Sequence, residues 1–390
     1  MTGNRAESIL IVGGGVFGLT AAIELRGRGW EVTLLEQGVA PHPDASSTDI
    51  SKVVRLDYGA DEIYTEMAER SLDGWRRWNQ EWECPLFHAD GFLVMTRDDE
   101  MRAGSFEGES FRFLTGRGHA LRRMTRDDLG TRHPAWNASR YRDGYLNPKG
   151  GWAESGAVVS CLRRLALDSG VRIEEDCPVT EIGEFAEVVG KDGKCWKADR
   201  VLLAAGAWTA FLLPELKGRL RVTAQPVVHL RPKEARLYRA PAFPVWGADI
   251  GRTGWYGFPA NAEGIVKVAN HGTGRPVTDP AQPRGVTAEE IGRFREFLAE
   301  TFPSLADAPL AGTRECWYGD SFDGHFWIDR HLDRSGIFLA AGDSGHGFKF
   351  APVLGGLIAD VVEGKANRWA ERFRWRELIE AGGEEARASG

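Results

Sequence analysis

Apolar residues in this chain gather in short unbroken runs set off by glycines. Ser8-Ile-Leu-Ile-Val12 and Glu31-Val-Thr-Leu-Leu-Glu36 bracket a stretch of helix formers, Leu19 to Arg28. An apolar run of that length reads as a strand buried on both faces, and two of them around a helix read as one βαβ unit. Two further runs, Arg200 to Gly206 and Gly336 to Gly342, have the same character and end in glycine. Helical spacing takes over from Asp61 to Trp82, where Ile63, Met67, Ser71, Trp75, Trp78 and Trp82 recur every three or four residues. Three tryptophans on one stripe suit a stacking platform or a core, and helical apolar periodicity needs no cause beyond packing.

Further along, Gly91 to Thr96 predicts a strand, Asp127 to Leu146 is turn-rich, and Glu154 to Ser169 predicts a helix. Val171 to Glu174 predicts another strand, and Lys191-Asp-Gly-Lys194 the turn of a hairpin. Residues 221–270 read mostly as strands, with nothing to say what segments 230–255 contact. Gly272 to Gly285 reads as a Pro/Gly loop, Thr287 to Phe302 as an amphipathic helix and Pro352 to Glu363 as a last helix. The tail Glu380 to Gly390 is polar and reads as frayed. No repeat or low-complexity linker divides the chain. Nucleotide-type elements thus fall at both ends and in the middle. The expected class is α/β with an α+β second domain. One domain is drawn from 1–83, 147–218 and 312–390, and a mixed-sheet domain from 84–146 and 219–311.

Composition narrows the function. The 390 residues carry 49 Lys plus Arg against 56 Asp plus Glu, a net charge of −7 with no block of one sign. That argues against a nucleic-acid binder or a polybasic membrane partner. No apolar run reaches membrane-spanning length and the N-terminus lacks a secretory pattern, so the expected compartment is cytoplasmic. The five cysteines are scattered, with no metal-type spacing, so no metal site is expected. Glycine is abundant at 48 of 390, more than the usual ~7%, which suits many tight turns or close approach of backbone to a ligand.

The glycines are not spread evenly. Gly13-Gly-Gly-Val-Phe-Gly18 satisfies G-x-G-x-x-G between the first strand and helix, and includes Gly15, Val16 and Phe17. The three spaced glycines serve a tight turn, backbone approach to a pyrophosphate and close helix packing, with the helix N-terminus favouring the phosphate charge. Glu36 ends the next strand, where a carboxylate accepts hydrogen bonds from ribose hydroxyls. A Rossmann-like dinucleotide site is expected; the spacing does not distinguish NAD from FAD.

Several strings together resemble the sarcosine oxidase group of the D-amino-acid-oxidase-like flavoproteins, which also contains the fructosyl-amino-acid oxidases. They are Gly13–Gly18 with Glu36, Asp49-Ile-Ser-Lys-Val-Val-Arg55, Ala204-Ala-Gly-Ala-Trp208, Tyr256-Gly-Phe-Pro259, Lys267-Val-Ala-Asn-His271, Cys316-Trp-Tyr-Gly-Asp-Ser-Phe-Asp323 and Gly342-Asp-Ser-Gly-His-Gly-Phe-Lys349. The resemblance covers nearly the whole chain, in order. It implies FAD, joined through an 8α-S-cysteinyl bond at Cys316, where the residues alone suggest only a small buried hydrophobe. It implies that Lys267 faces the flavin and aids electron transfer to oxygen, although strand alternation by itself points that lysine to solvent. Arg55 and Lys349 correspond to the pair that grips a substrate carboxylate, a task suited to a planar guanidinium; alone, Arg55 reads as a surface ion pair. His271 matches an active-site histidine of the group, though alone it reads as a structural residue, and Tyr256 suits packing against or hydrogen-bonding a bound substrate as well as a place in the core. The expected cofactor contacts are completed by Ser51, Lys52, Val179, Gly206, Trp208, Gly342, Gly345, His346, Gly347 and Phe348.

Lys52 departs from the sarcosine oxidase pattern, which has arginine there, and with Asp343 and Trp317 leans toward the fructosyl-amino-acid oxidases. Gly345-His-Gly347 and the spacing from Tyr256 to Lys267 lean the other way. The resemblance therefore implies a monomeric amine oxidase that takes a small secondary amine, such as an N-methyl amino acid, and passes electrons to O2. Oxidation of fructosyl amino acids is the alternative. A dehydrogenase with another electron acceptor and a flavin-bearing sensor are the readings from other classes.

Overall fold

The computed structural model describes residues 5–97 and 101–378; the tail expected to fray lies outside them. The unbroken apolar runs form the centre of a six-stranded sheet, ordered Trp327–Arg330, Ile337–Ala341, Arg200–Leu203, Ser8–Val12, Glu31–Leu35 and Arg172–Glu174. All pair in parallel except the edge strand Trp327–Arg330. Both faces are covered, which is why these strands show no alternation. Ile9, Ile11, Val32 and Leu34 meet a helical layer that includes Val16–Gly27, Ser155–Asp168 and Ala351–Glu363. Leu10, Val12, Leu35 and Leu203 meet Ile182, Val188 and Trp196 of the antiparallel strands Val179–Ile182, Glu187–Gly190 and Cys195–Lys197.

The helix Glu62–Glu81 settles the tryptophan question. Asp61 caps it by accepting from the Tyr64 amide, and Trp75 is fully buried, with its Nε1 donating to the Lys349 carbonyl. Trp78 and Trp82 stack at 4.8 Å and pack, half-buried, on the same core. The stripe is packing.

A second, nine-stranded sheet is mostly antiparallel. Its spine is Leu220–Leu230 paired along nearly its whole length with Leu310–Ser321. The other edge of Leu220–Leu230 is shared by Arg275–Val277 and Val266–Asn270, and Pro226 falls between these two partners. A proline, which has no N–H for a ladder, is tolerated at such a break. One face, carrying Val228, Leu230, Val266 and Val268, packs on the helix Ala288–Thr301. The opposite face carries Val227, Ala269, Cys316 and Tyr318.

Three details differ from the sequence pattern. Asp127 to Leu146 contains a helix, Arg126–Arg132, opened by a Thr125–Asp128 capping box, and a strand, Asp143–Asn147. The expected loop 272–285 contributes the strand Arg275–Val277. The division drawn at residue 312 falls inside Leu310–Ser321, which is hydrogen-bonded to the second sheet. No described helix is long and apolar enough to cross a membrane.

Candidate active site

A cleft opens along the ends of the parallel strands. Nine of the expected residues line it: Gly13, Gly15, Val16, Phe17, Glu36, Val179, Gly206, Trp208 and Gly342. Gly13 has φ +111°, and a Cβ there would sit 2.5 Å from the Ala204 carbonyl oxygen, so glycine is required on both counts. Gly18 does not line the cleft; it lets the helix settle on the strand, since a Cβ would lie 1.9 Å from the Gly13 carbonyl oxygen. The helix after Gly15 has a glycine at its N-cap and no acid in its first turn, and Ser47 Oγ accepts from the Val16 amide at 3.2 Å; the missing negative charge suits a phosphate. Glu36 is buried at the cleft and accepts from the Gly14 amide at 2.6 Å. These features fit the adenosine and pyrophosphate of FAD. Gln37, Ala45, Ser46, Ser47, Cys177 and Asp343 also line the cleft and carry no motif that would have revealed them, apart from Asp343 in its quoted string.

At the Asp343 end the cleft meets a cluster of cations. Burial, then the neighbouring Asp320, push the Asp343 carboxyl up to about 6, against the opposing pull of the Gly345 amide, Lys52 and Lys349. Lys52 Nζ lies 3.9 Å from the buried Cys316 Sγ. Lys267, expected from alternation to face water, is 1% exposed. Its Nζ is 2.7 Å from Asp49 Oδ2, donates to the Ser51 carbonyl at 2.6 Å, and stands 4.6 Å from the Phe258 ring centroid. The counter-charge from another segment makes this burial tolerable. Burial lowers the Lys267 pKa, Asp49 raises it and Lys52 lowers it again, leaving it at about 8. Burial also opposes the charge on Asp49, but Lys267, His229 and Lys52 hold its carboxyl well below the usual range.

Arg55 is likewise buried and no surface ion pair; its guanidinium lies 4.6 Å from the Tyr58 ring centroid and 5.5 Å from that of Phe106. Lys349 Nζ donates to Tyr58 Oη at 2.8 Å and to the His346 carbonyl at 2.7 Å. Tyr58 Oη in turn lies 3.1 Å from His346 Nδ1, and His346 Nε2 is 2.9 Å from the Gly324 carbonyl. Since that carbonyl can only accept, the proton belongs on Nε2 and Tyr58 donates to Nδ1. The His346 ring packs among Tyr58, Tyr64 and Phe326. Gly345 has φ +76°, and a Cβ would lie 2.1 Å from the Tyr318 ring. Gly347 abuts Asp343 and Phe17, and Phe348 stacks on Trp75. Tyr256 Oη is 3.5 Å from Tyr318 Oη, and the His271 ring packs 5.8 Å from that of Tyr318. Tyr58, Tyr318 and His229 were not foreseen. Tyr318 sits in a string already quoted without being singled out, whereas Tyr58 and His229 join the site through contacts with distant segments that no local string encodes.

Comparisons with known proteins agree with this geometry. Over 95% of its length the chain is 28% identical to the L-saccharopine oxidase of Schizosaccharomyces pombe, covering 94% of that protein. It is 25% identical to the monomeric sarcosine oxidase of a Bacillus species, with 91% of each chain covered. The crystal structure of the deglycating enzyme fructosamine oxidase from Aspergillus fumigatus (Amadoriase II) matches 99% of this chain and 94% of its own, with a TM-score of 0.84 and 28% identity. The profile of the FAD dependent oxidoreductases matches residues 8–361. A match running from the first strand into the last long helix takes in both sheets and the cleft, and the chain belongs to the family of FAD dependent oxidoreductases.

Proposed function

We propose that this enzyme oxidises the C–N bond of a secondary amine, an N-substituted amino acid, to an imine that water hydrolyses, with O2 reduced to H2O2. The observation that carries the reading is the gathering of three buried cations, Arg55, Lys349 and Lys267, and the half-buried Lys52 at the end of a cleft that fits FAD. Bound FAD supplies the acceptor for the two electrons and hydrogen leaving the carbon beside nitrogen. Arg55 and Lys349 bind the substrate carboxylate and so fix that carbon over the acceptor. The same positive field disfavours a protonated amine, so the substrate binds with its nitrogen lone pair free. Lys267, fixed and dry, stabilises negative charge that develops on oxygen. Cys316 carries the flavin covalently, so acid-precipitated wild type retains yellow flavin and Cys316→Ala releases it.

The test is anaerobic bleaching of the flavin absorbance by sarcosine, other N-methyl amino acids, pipecolate and fructosyl-glycine. Bleaching by a small N-substituted amino acid is the expected result; a panel without effect sinks the proposal. A second reading, oxidation of fructosyl amino acids, is favoured by Lys52 together with Asp343, which lines the cleft. Bleaching by fructosyl-glycine alone would establish it.

A further inference from the structure

The ion pair of Lys267 and Asp49 has a third member. His229 on Leu220–Leu230 stands directly opposite Lys267 on Val266–Asn270. Its Nε2 is 3.1 Å from Asp49 Oδ1, while Lys267 Nζ is 2.7 Å from Oδ2. Two neighbouring strands thus present an ammonium and an imidazole to the two oxygens of one carboxylate, whose side chain is 1% exposed. The carboxylate comes from the segment that also supplies the Ser51 carbonyl to Lys267. Two of the three ammonium N–H groups are therefore directed at residues 49–51. That is more than a buried lysine needs for charge balance; it fixes direction as well.

We propose that Asp49 and His229 are positioning residues for Lys267. The carboxylate keeps the ammonium charged and aimed, and His229, donating to the other oxygen, holds the carboxylate in place. The proposal rests on the reading that Lys267 serves the oxygen half of the reaction. The groups facing Lys267 are Asp49 from the 49–51 segment, Lys52 from Lys52–Val54, His229 from Leu220–Leu230 and Cys316 from Leu310–Ser321. Burial and Lys52 favour the neutral amine, so removing the Asp49 charge removes the main force that opposes them.

The experiment uses holoprotein labelled with 13C at the lysine ε-carbon, with the Lys267 resonance identified by its absence from Lys267→Met. In wild type that resonance titrates at about 8. In Asp49→Asn the midpoint falls by about one pH unit or more, and Asp49→Glu restores most of it. In parallel, dithionite-reduced protein is mixed with oxygenated buffer. Asp49→Asn reoxidises about tenfold slower or more, whereas its anaerobic reduction by a bleaching amine changes little. An unmoved midpoint in Asp49→Asn overturns the proposal, whether the two half-reactions are unchanged or slowed together. Should Asp49→Asn fail to fold, His229→Gln, which keeps an N–H for Oδ1, reoxidises like wild type and His229→Phe several-fold slower; equal rates in all three overturn it. If Lys267→Met reoxidises at the wild-type rate, the oxygen reading is what fails, and the titration still decides the coupling of Asp49 to Lys267.

Discussion

Lys267 shows how far a residue can be read from its neighbours in sequence. In Ile265-Val-Lys-Val-Ala269 the alternation is that of a strand with one wet face, and it points lysine outward. In the folded chain that face is covered by the segment 49–51, and Asp49 and the Ser51 carbonyl take the place of water. The string resemblance assigns the lysine its place, whereas the period alone does not. Its chemistry follows from being charged and dry, so Lys267→Met is expected to slow reoxidation by O2 about 10²-fold, the scale of losing one fixed electrostatic contact. Reduction by substrate, followed anaerobically, should change by less than about threefold; equal effects on both steps would remove the lysine from the oxygen reaction.

Elements with a strong local signal are legible, among them the parallel strands, the capped helix Ala288–Thr301 and the helix Glu62–Glu81. The long strand Leu310–Ser321 is not, because its first half is exposed and its second half buried, which breaks any single period. Helix ends are tied by charges equally invisible to periodicity. At the end of Ala351–Glu363, Glu363 is bonded by Lys365, by Arg28 at 2.5 Å and by the Trp30 indole. Burial opposes its charge, but these partners outweigh it and hold its pKa down to about 2. Below its ordinary value of 4.5 the unfolded chain takes up the proton first, so this stabilisation is complete above about pH 4.5 and disappears as pH falls toward 2. Glu363→Gln should therefore cost about 1–3 kcal/mol at pH 7. In urea unfolding the gap from wild type should narrow below pH 4.5; a gap independent of pH would show that packing and not charge is at stake.

At the scale of the whole molecule, two arginines tie the second sheet and the loop beside it to a segment that lines the cleft. Arg314 of the second sheet donates to the Pro43 and Ala45 carbonyls, and Arg284 lies 3.7 Å from the Trp317 ring centroid and donates to the Asp44 carbonyl. Both hold the segment that carries Ala45, Ser46 and Ser47 into the cleft. Arg314→Ala is expected to raise hydrogen exchange at amides 44–48 about tenfold, the scale of one to two lost hydrogen bonds, with little change in the strand Ser8–Val12. Uniform acceleration across both sheets would mean that Arg314 supports global stability instead.

The sequence by itself determined the nucleotide half of this protein. Gly13, Gly18 and Glu36 lie within a single βαβ unit, so spacing along the chain is also geometry in space. The cation cluster was decided only by the tertiary structure. Lys52 and Arg55 share one short segment, but Lys267 and Lys349 come from elements far along the chain, and what each does depends on which charge, ring or carbonyl the fold sets against it. A buried charge is tolerable only beside its partner, and partners brought together by pairing across sheets leave no period in the chain.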